Sequence, residues 1–244
     1  MGMAVERMSA ESWLPPWVRY QHEARYAWAA EQAQGCVILD AACGTGHGAR
    51  ALIDHGAKSV SGFDLSDEAI ATASRLNIPG DVTFAIGDVA HLPVQDGSVD
   101  LYLSFETIEH LPDDDAYLAE ARRVLKPDGR LICSTPNRTI TNPGTTIDDM
   151  PFNPFHLREY AQPELQERLR YHFSHIEWFG QSAYSVTYAN CLRRIAGLHP
   201  RLAVRLHQIR KTLCLPWETP QRHRLIPLQS GRFESEILVA VCRN

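Results

Sequence analysis

The feature that most constrains the fold is an apolar segment that runs into a loop rich in glycine. Residues 37–48 read Val-Ile-Leu-Asp-Ala-Ala-Cys-Gly-Thr-Gly-His-Gly. The apolar or small residues around Asp40 suit a central strand that is covered on both faces. Gly44, Gly46 and Gly48 allow the backbone to turn sharply and to approach a ligand that a Cβ would obstruct. The pattern predicts a buried strand, a tight turn and a helix, with a ligand at the turn.

Two further segments end in an acid at spacings that fit a nucleotide-binding sheet. Asp64 ends the apolar segment 59–64, about twenty residues after the glycine loop. In nucleotide-binding α/β folds an acid at this position hydrogen-bonds a ribose diol. Asp88 ends a third segment, 82–88. The alternative is that these carboxylates only cap helices or turns. We favour a ligand site, because the carboxyl ends of strands are where a doubly wound sheet binds ligands.

The loop resembles the first motif of the class I S-adenosylmethionine (SAM) methyltransferases, in which an acid is followed by GxGxG. Ala42 replaces the first glycine of that pattern. The resemblance continues in segments 100–105 and 125–137 and covers roughly residues 20–180, plus a last strand at 236–242. It implies an α/β, Rossmann-like fold. Its sheet has seven mostly parallel strands with helices on both faces, an antiparallel last strand and a mostly helical insertion before that strand.

The same resemblance implies that the chain binds SAM and releases S-adenosyl-L-homocysteine. Asp88 is expected to accept a hydrogen bond from the adenine amino group. Arg25, on a predicted helix near residues 20–34, either pairs with the methionine carboxylate or is a surface residue. The residues expected to bind the cofactor are Arg25, Asp40, Ala41, Gly44, Gly46, Asp64, Leu65, Asp88, Val89, Ser104 and Phe105.

Length and composition predict one globular domain over residues 1–244. The 244 residues are 44% hydrophobic and 22% charged, which is ordinary for a globular chain with a sizeable core. Residues 1–35 are expected to form an N-terminal cap, and we expect no signal peptide or membrane span. The six cysteines include no CxxC pair, so they are predicted to be reduced in a cytoplasmic protein.

The segment 182–232 differs from the rest and is predicted to be an insertion or lid. It holds nine Lys or Arg and a single acid, although the whole chain has a net charge of −5. Four apolar residues at helical spacing form one stripe: Leu202, Leu206, Ile209 and Leu213. The stripe can pack on the sheet, the segment can cover an anionic substrate, or residues 201–214 can make peripheral contact with a membrane. The oligomeric state is left open.

The chemistry is expected beyond the fourth strand. Glu106, Glu109 and His110 would share one face if they form a helical turn, and His156 comes from a long loop at 136–155 and beyond. This set resembles those of the metal-dependent small-RNA 2′-O-methyltransferases and the ubiquinone-pathway O-methyltransferases. By that resemblance the four side chains hold Mg²⁺ or Mn²⁺, which would acidify a hydroxyl.

Two alternatives involve no metal: His110 or His156 is a general base beside Glu109, or Glu109 and His110 are structural or only orient substrate. The motifs also resemble those of bacterial methyltransferases that act on sugars, surface glycans and specialised metabolites. We therefore expect transfer of a methyl group to a small-molecule hydroxyl. A metal-free N-methyltransferase and a non-catalytic SAM-binding protein remain as alternatives. An acidic core lacks the broad basic face that a nucleic-acid substrate requires, so we do not expect one.

Overall fold

Eight strands form one sheet, with helices on both of its faces. The computed structural model describes residues 16–214, 223–228 and 233–244. The strands are β1 (Val37–Ala41), β2 (Ser59–Asp64), β3 (Val82–Ile86), β4 (Val99–Phe105), β5 (Leu125–Pro136), β6 (His175–Ser185), β7 (Ile226–Pro227) and β8 (Phe233–Arg243).

Helices separate most consecutive strands, although residues 87–98, between β3 and β4, form no helix. The helices are α1 (Pro16–Ala30), α2 (Ala49–Asp54), α3 (Asp67–Ala73), α4 (Asp114–Val124), α5 (Arg138–Thr141), α6 (Gln162–His172), α7 (Val186–Leu198) and α8 (Pro200–Cys214), with a 3₁₀ turn at Ile108–His110. None of the helices in the described ranges is long and apolar enough to cross a membrane.

The strand order is β3-β2-β1-β4-β5-β8-β6-β7. Strands β1 to β5 pair in parallel, whereas β8 lies antiparallel between β5 and β6. The predicted seven-stranded sheet with an antiparallel last strand is confirmed. The two-residue β7 adds a short eighth strand beside β6.

Alternate residues of the central strands pack on opposite faces of the sheet. Leu39 belongs to one core cluster together with Tyr117 of α4, and Ile38 belongs to the other together with Ala29 of α1. Because both faces are covered, a polar residue in these strands is tolerated mainly at a strand end. This places the ligand chemistry at the carboxyl edge of the sheet.

The topology defines where along that edge a ligand fits. Ile38 of β1 is opposite Leu101 of β4, although these strands are separated in sequence by β2 and β3. After β1 the chain continues to β2 and β3 on one side of β1, and it then returns to β4 and β5 on the other side. The loops after β1 and β4 therefore diverge and open a crevice, which is the usual ligand position in such sheets.

The insertion carries α7 and α8, and the apolar stripe of α8 faces outward. Leu202, Leu206, Ile209 and Leu213 are 46%, 40%, 54% and 72% exposed. The opposite face buries Ala203 and His207. The interpretation in which the stripe packs on the sheet is therefore wrong, because polar as well as small residues anchor this helix.

Candidate functional site

The glycine loop after β1 adopts the predicted sharp turn. Ala42, Gly44 and Gly46 have φ values of 59°, 55° and 74°, in the left-handed region. Gly48 has an ordinary φ of −77°, but a Cβ there would lie 2.1 Å from the ring of Tyr26. Gly48 is thus needed for the close approach of α1, whereas Gly44 and Gly46 are needed for the turn itself.

Asp40 is the buried second-last residue of β1 and has one hydroxyl partner. The hydroxyl of Tyr26 donates to both of its carboxylate oxygens, at 3.0 Å each. Burial raises the pKa of Asp40 to about 7, and the Tyr26 hydrogen bond opposes that shift only in part. A positive ligand beside this carboxyl would favour its ionised form.

Asp64 connects the end of β2 to the glycine loop. Its Oδ2 accepts from the Gly44 amide at 3.0 Å and its Oδ1 accepts from the Ser66 amide at 2.8 Å. The neighbouring Leu65 is 63% exposed. The acid and the apolar side chain expected to contact the cofactor thus stand together beside the loop.

The other predicted cofactor residues lie at the ends of β3 and β4. Asp88 stands two residues beyond β3, is exposed, and accepts from the Ala90 amide at 2.9 Å. Val89 is buried beside it. Ser104 and Phe105 are the buried last residues of β4. Strands β3, β2, β1 and β4 are consecutive in the sheet, so the fold brings the residues at their carboxyl ends to one edge.

Arg25 reaches the same edge from α1 and is 1% exposed. Its Nη1 donates to Gln181 Oε1 at 2.7 Å, and its Nη2 lies 3.9 Å from Glu106 Oε1. Its Nε has no hydrogen-bond partner among the described residues. Burial lowers the pKa of Arg25, and nearby Glu106 opposes this shift. The alternative of a surface arginine is wrong.

His47, inside the glycine loop, is packed against α1. Its ring contacts Tyr26 edge-on, with centroids 5.1 Å apart. Both ring nitrogens are buried without a hydrogen-bond partner in the part of the chain that is described. Burial lowers the pKa of His47 to about 4, so the ring is neutral at physiological pH.

The turn after β4 differs from the predicted helical face. Glu106 has a φ of 54°, and the 3₁₀ turn begins only at Ile108. Glu106 Oε1 accepts from Ser134 Oγ at 2.6 Å. The expectation that Glu106, Glu109 and His110 share one helical face is wrong, because a left-handed residue interrupts the helical geometry.

Glu109, His110 and His156 do come together. One ligand atom from each side chain lies within 4.8 Å of the others. The long loop is attached to the turn by backbone bonds from the Leu157 and Arg158 amides to the Glu109 carbonyl, at 2.8 and 3.3 Å. The His110 and His156 rings meet edge to face, with centroids 4.9 Å apart.

Hydrogen bonds determine which nitrogen of each neutral ring is basic. His110 Nδ1 lies 2.9 Å from the Phe155 carbonyl, so Nδ1 carries the proton. His156 Nδ1 lies 2.6 Å from Glu159 Oε1, so this ring also has its proton on Nδ1. The amide of Asn153 faces His156 Nε2 at 2.9 Å. In both rings Nε2 is the basic nitrogen.

Glu109 is fully buried beside these rings. Its Oε2 accepts from Thr135 Oγ1 at 2.9 Å, and its Oε1 has no hydrogen-bond partner within the described ranges. Burial raises the pKa of Glu109 well above its usual range, and Glu106 adds to the shift. A neutral carboxyl or a bound cation would each satisfy such a group.

The four predicted metal ligands are not all assembled. Three of them form the cluster above, and a carboxylate with two imidazoles is a donor set that suits a divalent ion. Glu106 is outside the cluster, held by Ser134. The donor chemistry therefore fits an ion on three residues and does not fit the four-residue set.

Several residues at this edge were not predicted as site residues. Tyr26 and Gln181 hold Asp40 and Arg25, and Asn153 and Glu159 hold His156. The spacing of three between His156 and Glu159 was a usable signal, since it allows a direct contact. Gln181 offered none, because it is 156 residues from its arginine partner.

Comparison with known proteins agrees with this geometry. Residues 39–133 match the model of a family described as a methyltransferase domain, and the sheet around them has the class I SAM-dependent methyltransferase fold. The matched segment contains the glycine loop, all three strand-end acids and the 3₁₀ turn.

Named relatives span part of the chain. A probable S-adenosylmethionine-dependent methyltransferase of Mycolicibacterium smegmatis is 42% identical over 153 residues, covering 63% of this chain and 57% of that protein. A ubiquinone/menaquinone biosynthesis C-methyltransferase of Caulobacter vibrioides is 34% identical over 119 residues, covering 45% and 47%. The chain thus spans about half the length of these curated relatives.

A solved structure supports the fold of the methyltransferase domain. A SAM-dependent methyltransferase of Thermotoga maritima, described as a possible histamine N-methyltransferase, superposes with a TM-score of 0.58 at 19% identity, covering 93% of this chain and 94% of that one. At this identity the likeness concerns the fold alone.

Proposed function

We propose that this methyltransferase domain moves a methyl group from SAM to a hydroxyl of a small molecule, such as a sugar, a surface-glycan precursor or a specialised metabolite. The observation that carries the proposal is the pair of imidazoles, His110 and His156, whose basic nitrogens are set by their partners at the carboxyl edge. An alcohol is a weak nucleophile, and a positioned base removes its proton as the methyl group is transferred.

The glycine loop and the strand-end acids form the proposed cofactor site. SAM supplies a methyl group that its sulfonium has already activated. Asp64 would accept from the ribose hydroxyls and Leu65 would pack on the adenine, because both stand beside the loop. Arg25 Nε, a buried donor without a partner in the described structure, would donate to the methionine carboxylate.

His156 is the proposed general base. Glu159 is 2% exposed and accepts from Thr141 and Asn142 as well as from His156 Nδ1, so its position is defined on several sides. A buried carboxylate on Nδ1 orients the ring and stabilises the imidazolium that forms when Nε2 takes a proton. The hydroxyl of the acceptor would replace the Asn153 amide at Nε2.

The first experiment measures turnover of SAM to S-adenosylhomocysteine with panels of sugars, glycosides and phenols, followed by location of the new methyl group by NMR. With an acceptor in hand, His156→Asn should lower kcat by about 10²- to 10⁴-fold, as loss of a general base does. Glu159→Gln should lower kcat less and shift the pH profile, because Glu159 acts only through the ring.

His172 provides a matched control. It forms a similar imidazole–carboxylate pair with Asp115 at 2.8 Å, between α6 and α4 and outside the proposed site. His172→Asn should therefore leave kcat unchanged. Full activity of His156→Asn with an unchanged pH profile would contradict the assignment of the base, and failure of SAM to bind would contradict the proposed function itself.

A divalent ion on Glu109, His110 and His156 is the second candidate for activating the hydroxyl. It is favoured by the three convergent ligands and by Glu109 Oε1, which has no partner among the residues described. Such an ion would supply Lewis acidity at the acceptor oxygen. Loss of activity in chelator and recovery with Mg²⁺ or Mn²⁺, with SAM binding unchanged, would favour the ion over the histidine base.

A carbon acceptor is the second candidate for the reaction, because relatives of this chain include C-methyltransferases. A base at the same place would form a phenolate whose ring carbon attacks the methyl group. The NMR position of the methyl group separates the two products. Methylation of amines that survives loss of both His110 and His156 would favour an N-methyltransferase instead.

A further inference from the structure

Helix α8 presents an apolar stripe outward and buries a mixed face, which contains the apolar Ala203 and Val204 and the polar His207. The exposed side carries the stripe of Leu202, Leu206, Ile209 and Leu213. A surface helix of a globular domain ordinarily has the opposite arrangement. An exposed apolar stripe costs free energy in water, so it indicates a surface that contacts something else.

The buried contacts of α8 determine this orientation. Lys211 Nζ lies 2.5 Å from Glu236 Oε1 on β8, and His207 Nε2 lies 3.6 Å from the same oxygen. Burial alone would raise the pKa of the Glu236 carboxyl, but Lys211 and His207 outweigh that effect and hold it well below its usual range. His207 Nδ1 also meets the Tyr188 hydroxyl at 3.0 Å.

A helix anchored in this way cannot rotate its stripe into the core. Rotation would bury the leucines but would leave the Glu236 carboxylate without its cation. Breaking a buried ion pair by removing one partner is strongly destabilising. The outward direction of the stripe is therefore a property of the fold.

Positive charge borders the stripe. Arg201 and Arg205 are exposed and make no ion pair within the described structure, whereas Arg193 and Lys211 are paired with acids of β8. Arg210, on the other border, lies over the Tyr184 and Tyr188 rings, at 4.9 and 4.7 Å from their centroids. Arginine side chains thus border the apolar stripe on both sides.

A shallow groove on this surface combines both kinds of side chain. Its volume is about 350 Å³ and its lining consists of Arg205, Gln208, Ile209, Thr212 and Leu213. A guanidinium beside two apolar side chains suits a ligand with an anionic head and an apolar tail.

We propose that this outer surface of α8, formed by Leu202, Leu206, Ile209 and Leu213 with Arg201 and Arg205, docks on an anionic lipid bilayer. The leucines and the isoleucine enter the boundary between headgroups and acyl chains, and the arginines stay among the phosphates. The net charge of the whole chain, −5, does not favour this contact, so the local cationic border must supply the attraction.

The docking surface lies at the same edge of the sheet as the proposed catalytic site. Helix α5 starts directly after β5, and its Ile140 packs with Ala189 of α7. The loop after α5 leads to His156, and its Gly144 leaves room for Ala196 of α7, since a Cβ at Gly144 would lie 2.9 Å from the Ala196 Cβ. Docking through α8 would bring this edge close to the bilayer, where an amphiphilic acceptor is concentrated.

Vesicle flotation of the full chain tests the proposal. The protein should float with vesicles of phosphatidylcholine mixed with phosphatidylglycerol and should stay at the bottom with phosphatidylcholine alone. Leu206→Glu/Ile209→Glu and Arg201→Glu/Arg205→Glu should each weaken binding about tenfold or more, since the first removes apolar contact and the second removes two cations.

Matched controls are available on other helices. Tyr171 of α6 is 84% exposed, and Arg75, just after α3, is exposed. Tyr171→Glu and Arg75→Glu change the same kinds of surface residue and should leave flotation unchanged. Thermal unfolding midpoints of all variants should match that of the wild type, which shows that the fold is intact.

Three results would overturn the proposal. Equal flotation of the α8 variants and the wild type would show that this surface of α8 does not contact the bilayer. A wild-type dimer that becomes monomeric in Leu206→Glu/Ile209→Glu, without any vesicle binding, would assign the stripe to a second copy of the chain. A fall in the unfolding midpoint of that variant comparable to a core substitution would mean that the chain itself covers the stripe.

Discussion

Asp40 and Tyr26 show how a single buried carboxyl couples the proposed site to pH. Burial raises the pKa of Asp40 to about 7, whereas the pKa of an aspartate in an unfolded chain is about 3.9. The folded state therefore binds this proton more tightly than the unfolded state. Between those two pH values the free energy of unfolding of the ligand-free protein should fall as pH rises, by a few kcal/mol at most, at about 1.36 kcal/mol per pKa unit.

Urea unfolding at pH 5 and at pH 8 measures this dependence, with Asp40→Asn as the test variant. The asparagine has no proton to lose, so its unfolding free energy should change less between the two pH values than that of the wild type. An equal change in both proteins would show that Asp40 is already ionised in the folded state.

Ligand binding should release the same proton. SAM carries a sulfonium and an ammonium group, and positive charge near Asp40 favours the carboxylate. Calorimetric titration near pH 6 in phosphate and in a buffer with a large ionisation enthalpy should give different binding enthalpies for the wild type. Asp88→Asn, which keeps Asp40, should retain that difference, and Asp40→Asn should lose it. Identical wild-type enthalpies in both buffers would rule out proton release.

At the scale of elements, α1 packs closely against the glycine loop. A Cβ at Gly48 would meet the Tyr26 ring at 2.1 Å, so Gly48→Ala must displace the ring or the loop. Since Tyr26 is the hydroxyl partner of Asp40, the displacement reaches the carboxyl as well.

We expect Gly48→Ala to lower stability by about 1–3 kcal/mol, the usual cost of overpacking, and to weaken SAM binding. Denaturant unfolding and calorimetric titration measure the two effects. Gly197 in α7 has no atom within 4 Å of a built Cβ, so Gly197→Ala is the matched control and should be neutral or slightly stabilising. Equal unfolding free energies and equal SAM affinities of the two variants would show that the close contact of Gly48 with Tyr26 is not needed for stability or binding.

At the scale of the whole molecule, the ion pair between the half-buried Lys211 and the buried Glu236 joins the insertion to the sheet. Lys211→Met should destabilise the protein by about 3–5 kcal/mol near neutral pH, because it leaves a buried carboxylate without its cation. The variant Lys211→Met/Glu236→Gln should recover most of that loss, since it removes the charge as well.

Thermal unfolding of the two variants and hydrogen exchange of α8 measure the result. In Lys211→Met the amides of α8 should exchange faster than they do in the wild type. The exchange of the β1 amides should change less, because β1 lies far from the pair in the sheet order. A double variant that is no more stable than Lys211→Met would show that the pair contributes through packing and not through charge.

The sequence by itself determined the order of strands and helices, the glycine turn and the strand-end acids. These are local properties: the apolar run of β1, the spacing of Gly44 and Gly46, and the positions of Asp64 and Asp88 follow from the period of a strand and from the backbone freedom of glycine. The sheet topology followed from the resemblance of these motifs to those of a known family.

Tertiary structure alone decided which polar groups meet and which helix face is exposed. Arg25 meets Gln181, and His110 meets the loop that carries His156, through contacts between segments far apart in the chain. The stripe of α8 has the spacing of a core-facing helix, yet it faces outward, because Glu236 on a distant strand holds Lys211 on the opposite side. Helical periodicity shows that a helix has two faces, but the partner on the neighbouring element determines which of them is buried.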